Sequence, residues 1–450
     1  MIHFFQKLQT KILNTENKIN IAKNSFWLIL DYFIKIGLSA FVGIWLARYL
    51  GPLDFGKLSY TLALIGLFAP LSRLGLHITL PRELIHREKS KYEILSSAFL
   101  LKFMGGVLIS VLSVIMAFLF HFEDRTIFFL TILVGFSYVF RSFDVFEIWF
   151  LTDLKSKFSV IARNISLITS SLLKIIFILG GFSLLYFGMV IPLEAFIFAI
   201  VLIVLFVRLE YQFSPTFSLS ESFSLLKISW VFLFINILHV ILFRIDKVMI
   251  ENMLGSYEVG LYSISTMIIL SFLVFANQFV KSAFPVLIRL EKTMDFKRFS
   301  GDLQKFFNYL ALSSYGIIIA VFISADQVVN LLWGQDYVFS AKILSVQVVA
   351  ILFIFSGILR NHWAIVKNFK SFLLLSFFLG AGLNIVLNYY FINIWGAIGA
   401  AYSTLISYFF IYIFSGFFFT EIRPILKMQL KALFLVDYLK IVYFRLVCRS

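Results

Sequence analysis

Twelve long, mainly apolar stretches constrain this 450-residue chain more than any other feature. They lie at about 24–48, 58–80, 94–120, 126–151, 165–187, 193–208, 225–250, 258–284, 306–325, 341–366, 371–394 and 396–419. Most are near the ~20 residues with which an α-helix crosses hydrocarbon, where no water is present to satisfy unpaired backbone groups. A hydrophobic fraction of 61% beside only 14% charged residues is far from the composition of soluble domains. Unbroken apolar runs also exclude a transmembrane β-barrel, whose strands alternate in polarity. The chain is therefore expected to be an all-α polytopic membrane protein.

The net charge of +15 does not point to nucleic acid, because the basic residues sit between the apolar runs rather than in one patch. If the N-terminus is cytoplasmic, the inner regions hold 27 Lys and Arg, the outer ones 6, and a further 6 fall within spans. That bias predicts both termini inside. Lys7, Lys11, Lys18 and Lys23 punctuate an apolar N-terminal segment, 1–23, expected to lie on the membrane surface. Residues 421–450 interleave Lys427, Lys431, Lys440, Arg445 and Arg449 with Leu, Phe, Val and Tyr. They read either as an interfacial helix on the anionic inner leaflet or as a fraying tail. Cys448 is the one cysteine, so no intramolecular disulfide can form.

Twelve spans divide as six and six about the gap near 208–225, giving an N-lobe over 24–213 and a C-lobe over 214–420. Leu50-Gly51-Pro52-Leu53-Asp54-Phe55-Gly56-Lys57-Leu58-Ser59 shares the skeleton Leu-Gly-x-x-acid-x-Gly-x-x-Ser with Leu254 to Ser263, 204 residues on. Both turns fall on the outer side, one joining spans one and two, the other seven and eight. An even number of spans per copy makes the halves parallel repeats related by an axis along the membrane normal.

Ionisable groups inside spans cost roughly 2.5–3.5 kcal/mol each on insertion scales, so they must be paired or wet. Asp31 and Lys35 lie one helical turn apart, and Arg141, Asp144 and Glu147 recur every three residues as a polar stripe. Arg73, Lys102, Lys174 and Arg360 have no acid close by in their own spans. Each cation can snorkel or close an interhelical ion pair. Alternatively Lys35, Arg73, Lys102, Arg141 and Lys174 line a shared aqueous cavity, with Asp31, Asp144 and Glu147 balancing charge or taking up a coupling ion. Such a cavity is cationic on balance and implies an anionic cargo. The second half adds Arg244 and Arg360 as candidate cargo contacts and Asp246 as a candidate ion-coupling acid.

Metal-binding, nucleotide-binding and protease motifs are absent, and no extramembrane stretch exceeds about thirty residues. No catalytic residue, metal site or cofactor is expected. Transport energy must come from an ion gradient, H⁺ or Na⁺, from the membrane potential or from substrate flux.

Asn24-Ser25-Phe26-Trp27 followed by Ala47-Arg48-Tyr49-Leu50-Gly51-Pro52 and Phe55-Gly56 resembles the opening of Wzx-type oligosaccharide flippases. These form the polysaccharide-exporter branch of the MATE-like superfamily. Asp246-Lys247-Val248-Met249-Ile250 leading to Gly260-Leu261-Tyr262-Ser263, Phe284-Pro285, and Asn384-x-x-x-Asn388 leading to Gly396-Ala397-x-Gly399-Ala400-Ala401 extend the likeness over roughly 20–420. The resemblance implies two six-helix lobes that move an undecaprenyl-pyrophosphate-linked glycan from the inner to the outer leaflet of a bacterial cytoplasmic membrane. Its implied partners are lipid-linked oligosaccharide, membrane lipids and the pathway's polymerase and glycosyltransferases. A MATE-type exporter of cationic drugs would want an acid-dominated cavity, and a lipid-linked glycan polymerase or ligase would need a larger outer loop.

Overall fold

A computed structural model of the chain describes residues 15–87, 90–209, 216–292 and 296–437. Among these residues every regular element is helical. In chain order they are α1 (Thr15–Gly66), α2 (Ala69–Arg73), α3 (Leu76–His86), α4 (Lys91–Phe120), α5 (Arg125–Arg141), α6 (Asp144–Thr152), α7 (Ser156–Leu179) and α8 (Leu184–Leu209). There follow α9 (Leu219–Leu254), α10 (Ser256–Lys292), α11 (Phe296–Trp333), α12 (Phe339–Val349), α13 (Ile351–Val366), α14 (Lys370–Trp395), α15 (Ala397–Tyr412) and α16 (Arg423–Leu433). Nine helices among the described residues are long and apolar enough to cross a membrane, or eleven if each of two bent pairs counts as one span. Twelve were expected. The first expected segment lies in the part of α1 before Gly51, where the backbone leaves helical geometry and kinks into a second helical stretch, and many of its side chains lie outside the described residues.

Several ends have local causes. Asp124 caps α5 by accepting from the backbone N–H groups of Thr126 and Ile127 at 2.9 and 3.1 Å, satisfying donors that a helix start leaves open. Pro192, which falls between the expected segments 165–187 and 193–208, lies inside α8, which starts at Leu184. Neighbouring helices make that tolerable, since a buried proline removes one backbone donor and its freed carbonyl is shielded from lipid.

The chain forms two compact units: residues up to Leu50 with Leu64–Ile237, and Gly51–Ala63 with Leu238 onward. In the first, α4 packs on α5, α5 and α7 on α8, and α3 on α6. Its core gathers Leu76, Leu80, Leu84, Ile94, Leu95, Trp149, Phe150, Leu202 and Phe206. In the second, α14 packs on α15, and α12 packs on α10, α11 and α15.

The segment Gly51–Ala63 counts with the second unit because the two repeated turns meet there. Gly51 and Gly255 both hold positive φ, 71° and 92°, which favours glycine. A Cβ on Gly56 would strike the Ser256 carbonyl, and one on Gly260 would strike the Pro52 carbonyl. Pro52 and Ser256, like Gly56 and Gly260, are repeat equivalents, so the contact is reciprocal. Gly260→Ala should overpack it and cost about 1–3 kcal/mol, read as a lowered unfolding midpoint in detergent. An unchanged midpoint would show that the two helices part freely.

Candidate functional site

In the first unit two of the five expected cations carry a counter-ion. Lys102 of α4, with 1% of its side chain exposed, pairs with Asp144 at the start of α6. Lys174 of α7 lies 3.7 Å from Glu194 of α8. Glu147 pairs with Arg163 across α6 and α7. Each acid comes from a different helix than its base, which is why no sequence-local partner is visible. Arg87 makes a bidentate pair with Glu221, at 2.6 and 2.7 Å.

Arg141, Asp144 and Glu147 lie on one span, Arg125–Thr152, with an irregular turn at Ser142–Phe143 between α5 and α6. Asp144 and Glu147 turn to Lys102 and Arg163, while Arg141 remains exposed with its guanidinium 5.0 Å from the Tyr138 ring centre. Arg73, the last residue of α2, is exposed too. Neither arginine, nor exposed Lys35, has an acid partner among the described residues. Asp31 lies outside the described side chains. Of the first-half set, Lys35, Arg73 and Arg141 are thus the cations without an acid partner among the described residues. A cavity of about 210 Å³ in this unit, lined by Phe99, Phe143, Phe146, Phe206 and Phe217 among others, is apolar.

The second unit holds a buried carboxylate site. Asp246 of α9 is 4% exposed and draws donors from three other helices. Thr404 Oγ1 of α15 donates at 2.6 Å and Asn388 Nδ2 of α14 at 2.7 Å, while the Tyr262 hydroxyl of α10 donates to the same carboxylate. Asn388 Nδ2 also lies 3.2 Å from Asn384 Oδ1. Every donor is neutral, and no cation forms an ion pair with Asp246 among the described residues. The buried Asn388 Oδ1 and Asn384 Nδ2 have no hydrogen-bond partner. Two hydroxyls and one amide N–H thus hold the carboxylate in a buried, uncharged setting, where a proton taken up would neutralise it.

Asp246 stands out in the sequence as an acid inside a span, whereas the residues that hydrogen-bond it do not. The readable signal was Asn384-x-x-x-Asn388, two amides one turn apart on an apolar helix and so on one face. Tyr262 stood in a quoted motif without a role, and nothing in the sequence singles out Thr404.

The remaining candidates are backbone-bound. Arg244 donates to the Leu62 carbonyl at 2.6 Å, near the end of α1. Arg360, fully buried, donates to the Ile411 carbonyl at 2.9 Å and stands over the rings of Phe372 and Tyr412, at 4.8 and 5.5 Å. Its Nε has no partner. Cation–π and carbonyl contacts thus stand where a carboxylate would be expected. His239 packs against Phe243, ring centres 4.6 Å apart.

Comparison with known proteins gives this geometry its context. A protein of Shigella flexneri described as an O-antigen transporter is 26% identical over 361 residues, covering 74% of this chain and 82% of that one. The lipid II flippase MurJ in an inward closed conformation shares the fold with a TM-score of 0.68 at 17% identity, covering 92% of each chain. An inward-facing multidrug resistance MATE transporter of the MOP superfamily shares it at 0.65 and 13% identity, over 90% of this chain and 95% of that one. The family model described as polysaccharide biosynthesis protein matches residues 21–291, more than half of the sequence. The chain, with nine to eleven helices long and apolar enough to cross a membrane among its described residues, belongs to the polysaccharide biosynthesis protein family.

Proposed function

We propose that the protein is a flippase that carries undecaprenyl-pyrophosphate-linked oligosaccharide from the inner to the outer leaflet of a bacterial cytoplasmic membrane by alternating access. The family match and the O-antigen transporter relative support the lipid-linked glycan as cargo. The observation that carries the mechanism is the pair Arg73 and Arg141, exposed and without acid partners among the described residues while Lys102 and Lys174 are paired. Guanidinium groups bind phosphate oxygens in fork geometry, so these two are assigned to the diphosphate, with Lys35 as a further contact. Asp246 is assigned to a coupling ion, H⁺ or Na⁺.

The test is leaflet accessibility of labelled lipid-linked glycan in proteoliposomes. Arg73→Ala with Arg141→Ala should lower the initial flipping rate by about 10–100-fold, the worth of one to two charged hydrogen bonds. Wild-type flipping with an unaltered rate in the variant would remove both residues from cargo binding.

A further inference from the structure

The basic tail finds no use in transport as assigned above, yet its first helix is built into the second unit. α16 buries Ile425, Leu426, Gln429, Ala432 and Leu433. Leu426 and Leu433 join Ile413 in one apolar cluster with Leu352, Phe353 and Leu430. Three side chains of α11 tie the segment down: Gln304 donates to the Met428 carbonyl at 3.1 Å, Tyr315 to the Leu433 carbonyl at 2.7 Å, and Asn308 to Asp437 at 2.9 Å. Fully buried Gln429 donates to Ser356 Oγ and the Tyr412 carbonyl, both at 3.3 Å. As far as Asp437 the segment is a docked strap; residues 438–450 lie outside the described residues.

What the strap leaves outside is a charged edge. Arg423, Lys427 and Lys431 follow at intervals of four, so they share one side of α16. The first two are exposed, and Lys431 is 2.6 Å from Asp437. Phe417 and Phe418 precede the helix and Phe434 follows it, 49%, 63% and 70% exposed. Glu421 is the exposed acid before Arg423.

Location identifies the partner. The last candidate span ends at Phe417, only a few residues before α16. α11, at 38 residues and so about 57 Å, is longer than the ~30 Å hydrocarbon layer, and α16 lies along its first half. The stretch 281–305, across the end of α10 and the start of α11, holds six Lys and Arg, which marks that end as the inner one. Exposed phenyl rings at both ends of a helix with a cationic edge fit a bilayer surface, rings in the acyl region and cations at phosphates. We propose that the Arg423–Lys427–Lys431 edge of α16 is a docking surface for anionic phospholipid headgroups of the inner leaflet.

Native mass spectrometry of the full chain, released from nanodiscs holding phosphatidylglycerol and phosphatidylcholine, tests this. Wild type should retain phosphatidylglycerol in preference. Arg423→Gln with Lys427→Gln should lower that preference by roughly fivefold per charge removed, and high salt should lower it likewise. Lys367→Gln with Lys370→Gln removes equal charge from another inner loop and should leave most of the preference intact. An unchanged unfolding midpoint in phosphatidylcholine confirms that the strap variant is folded. No preference in wild type, or equal losses in the two double variants, would overturn the assignment, the first favouring an acidic protein partner and the second a diffuse inner charge. Neither result bears on flipping, which the proteoliposome assay reads separately.

Discussion

Asp144→Ala is expected to destabilise the first unit by about 3–5 kcal/mol, because it strands the Lys102 ammonium inside α4 with no counter-ion. The reverse substitution should cost less. Asp144 has 31% of its side chain exposed against 1% for Lys102, so water can solvate the carboxylate left by Lys102→Ala. Replacing both, as Lys102→Met with Asp144→Leu, should recover most of the loss, since two apolar groups leave no charge to desolvate. Denaturant unfolding in detergent reads all three. Equal and small losses for the two single variants would mean that the pair is hydrated and contributes little.

Asp246→Ala carries the second large effect. It leaves the Tyr262 and Thr404 hydroxyls and the Asn388 amide aimed at an empty acceptor position, each buried orphan costing about 1–3 kcal/mol. The two hydroxyls stand 3.4 Å apart and can pair with each other, so a net loss of about 3 kcal/mol is expected. Asp246→Asn separates stability from charge. It keeps one acceptor oxygen, should cost roughly 1–2 kcal/mol, and removes the site's only formal charge. In proteoliposomes it should fold and bind cargo but lose acceleration by an imposed Na⁺ or H⁺ gradient. A variant that responds to the gradient as wild type does would remove Asp246 from coupling.

The helical membrane fold was legible because it rests on composition and run length, which survive any detail of packing. The repeat was legible as well. Its glycines are required by backbone geometry, positive φ at Gly51 and Gly255 and close approach at Gly56 and Gly260, and geometry of that kind leaves a fixed spacing in the chain. Pairing of charges was not. Lys102 and Asp144 are 42 residues apart and Lys174 and Glu194 belong to different helices, so the sequence shows cations in spans without showing which of them are neutralised. The irregular turn at Ser142–Phe143 was hidden too, since neither residue is a glycine or proline and the apolar run continues across it. Thr404 looked like any hydroxyl in a transmembrane helix, where such groups commonly bond their own backbone; its role appears only when α15 is set beside α9.

Because the repeated turns touch through equivalent positions, Gly56 and Gly260 are two halves of a single seam. A methyl added on either side forces the same pair of backbones apart, and once they have separated the second methyl enters space already opened. The double alanine variant should therefore lose less than the two single losses combined. Mutational scans that score these glycines one at a time will count one steric event twice, and drift at either position is constrained by what already occupies the other.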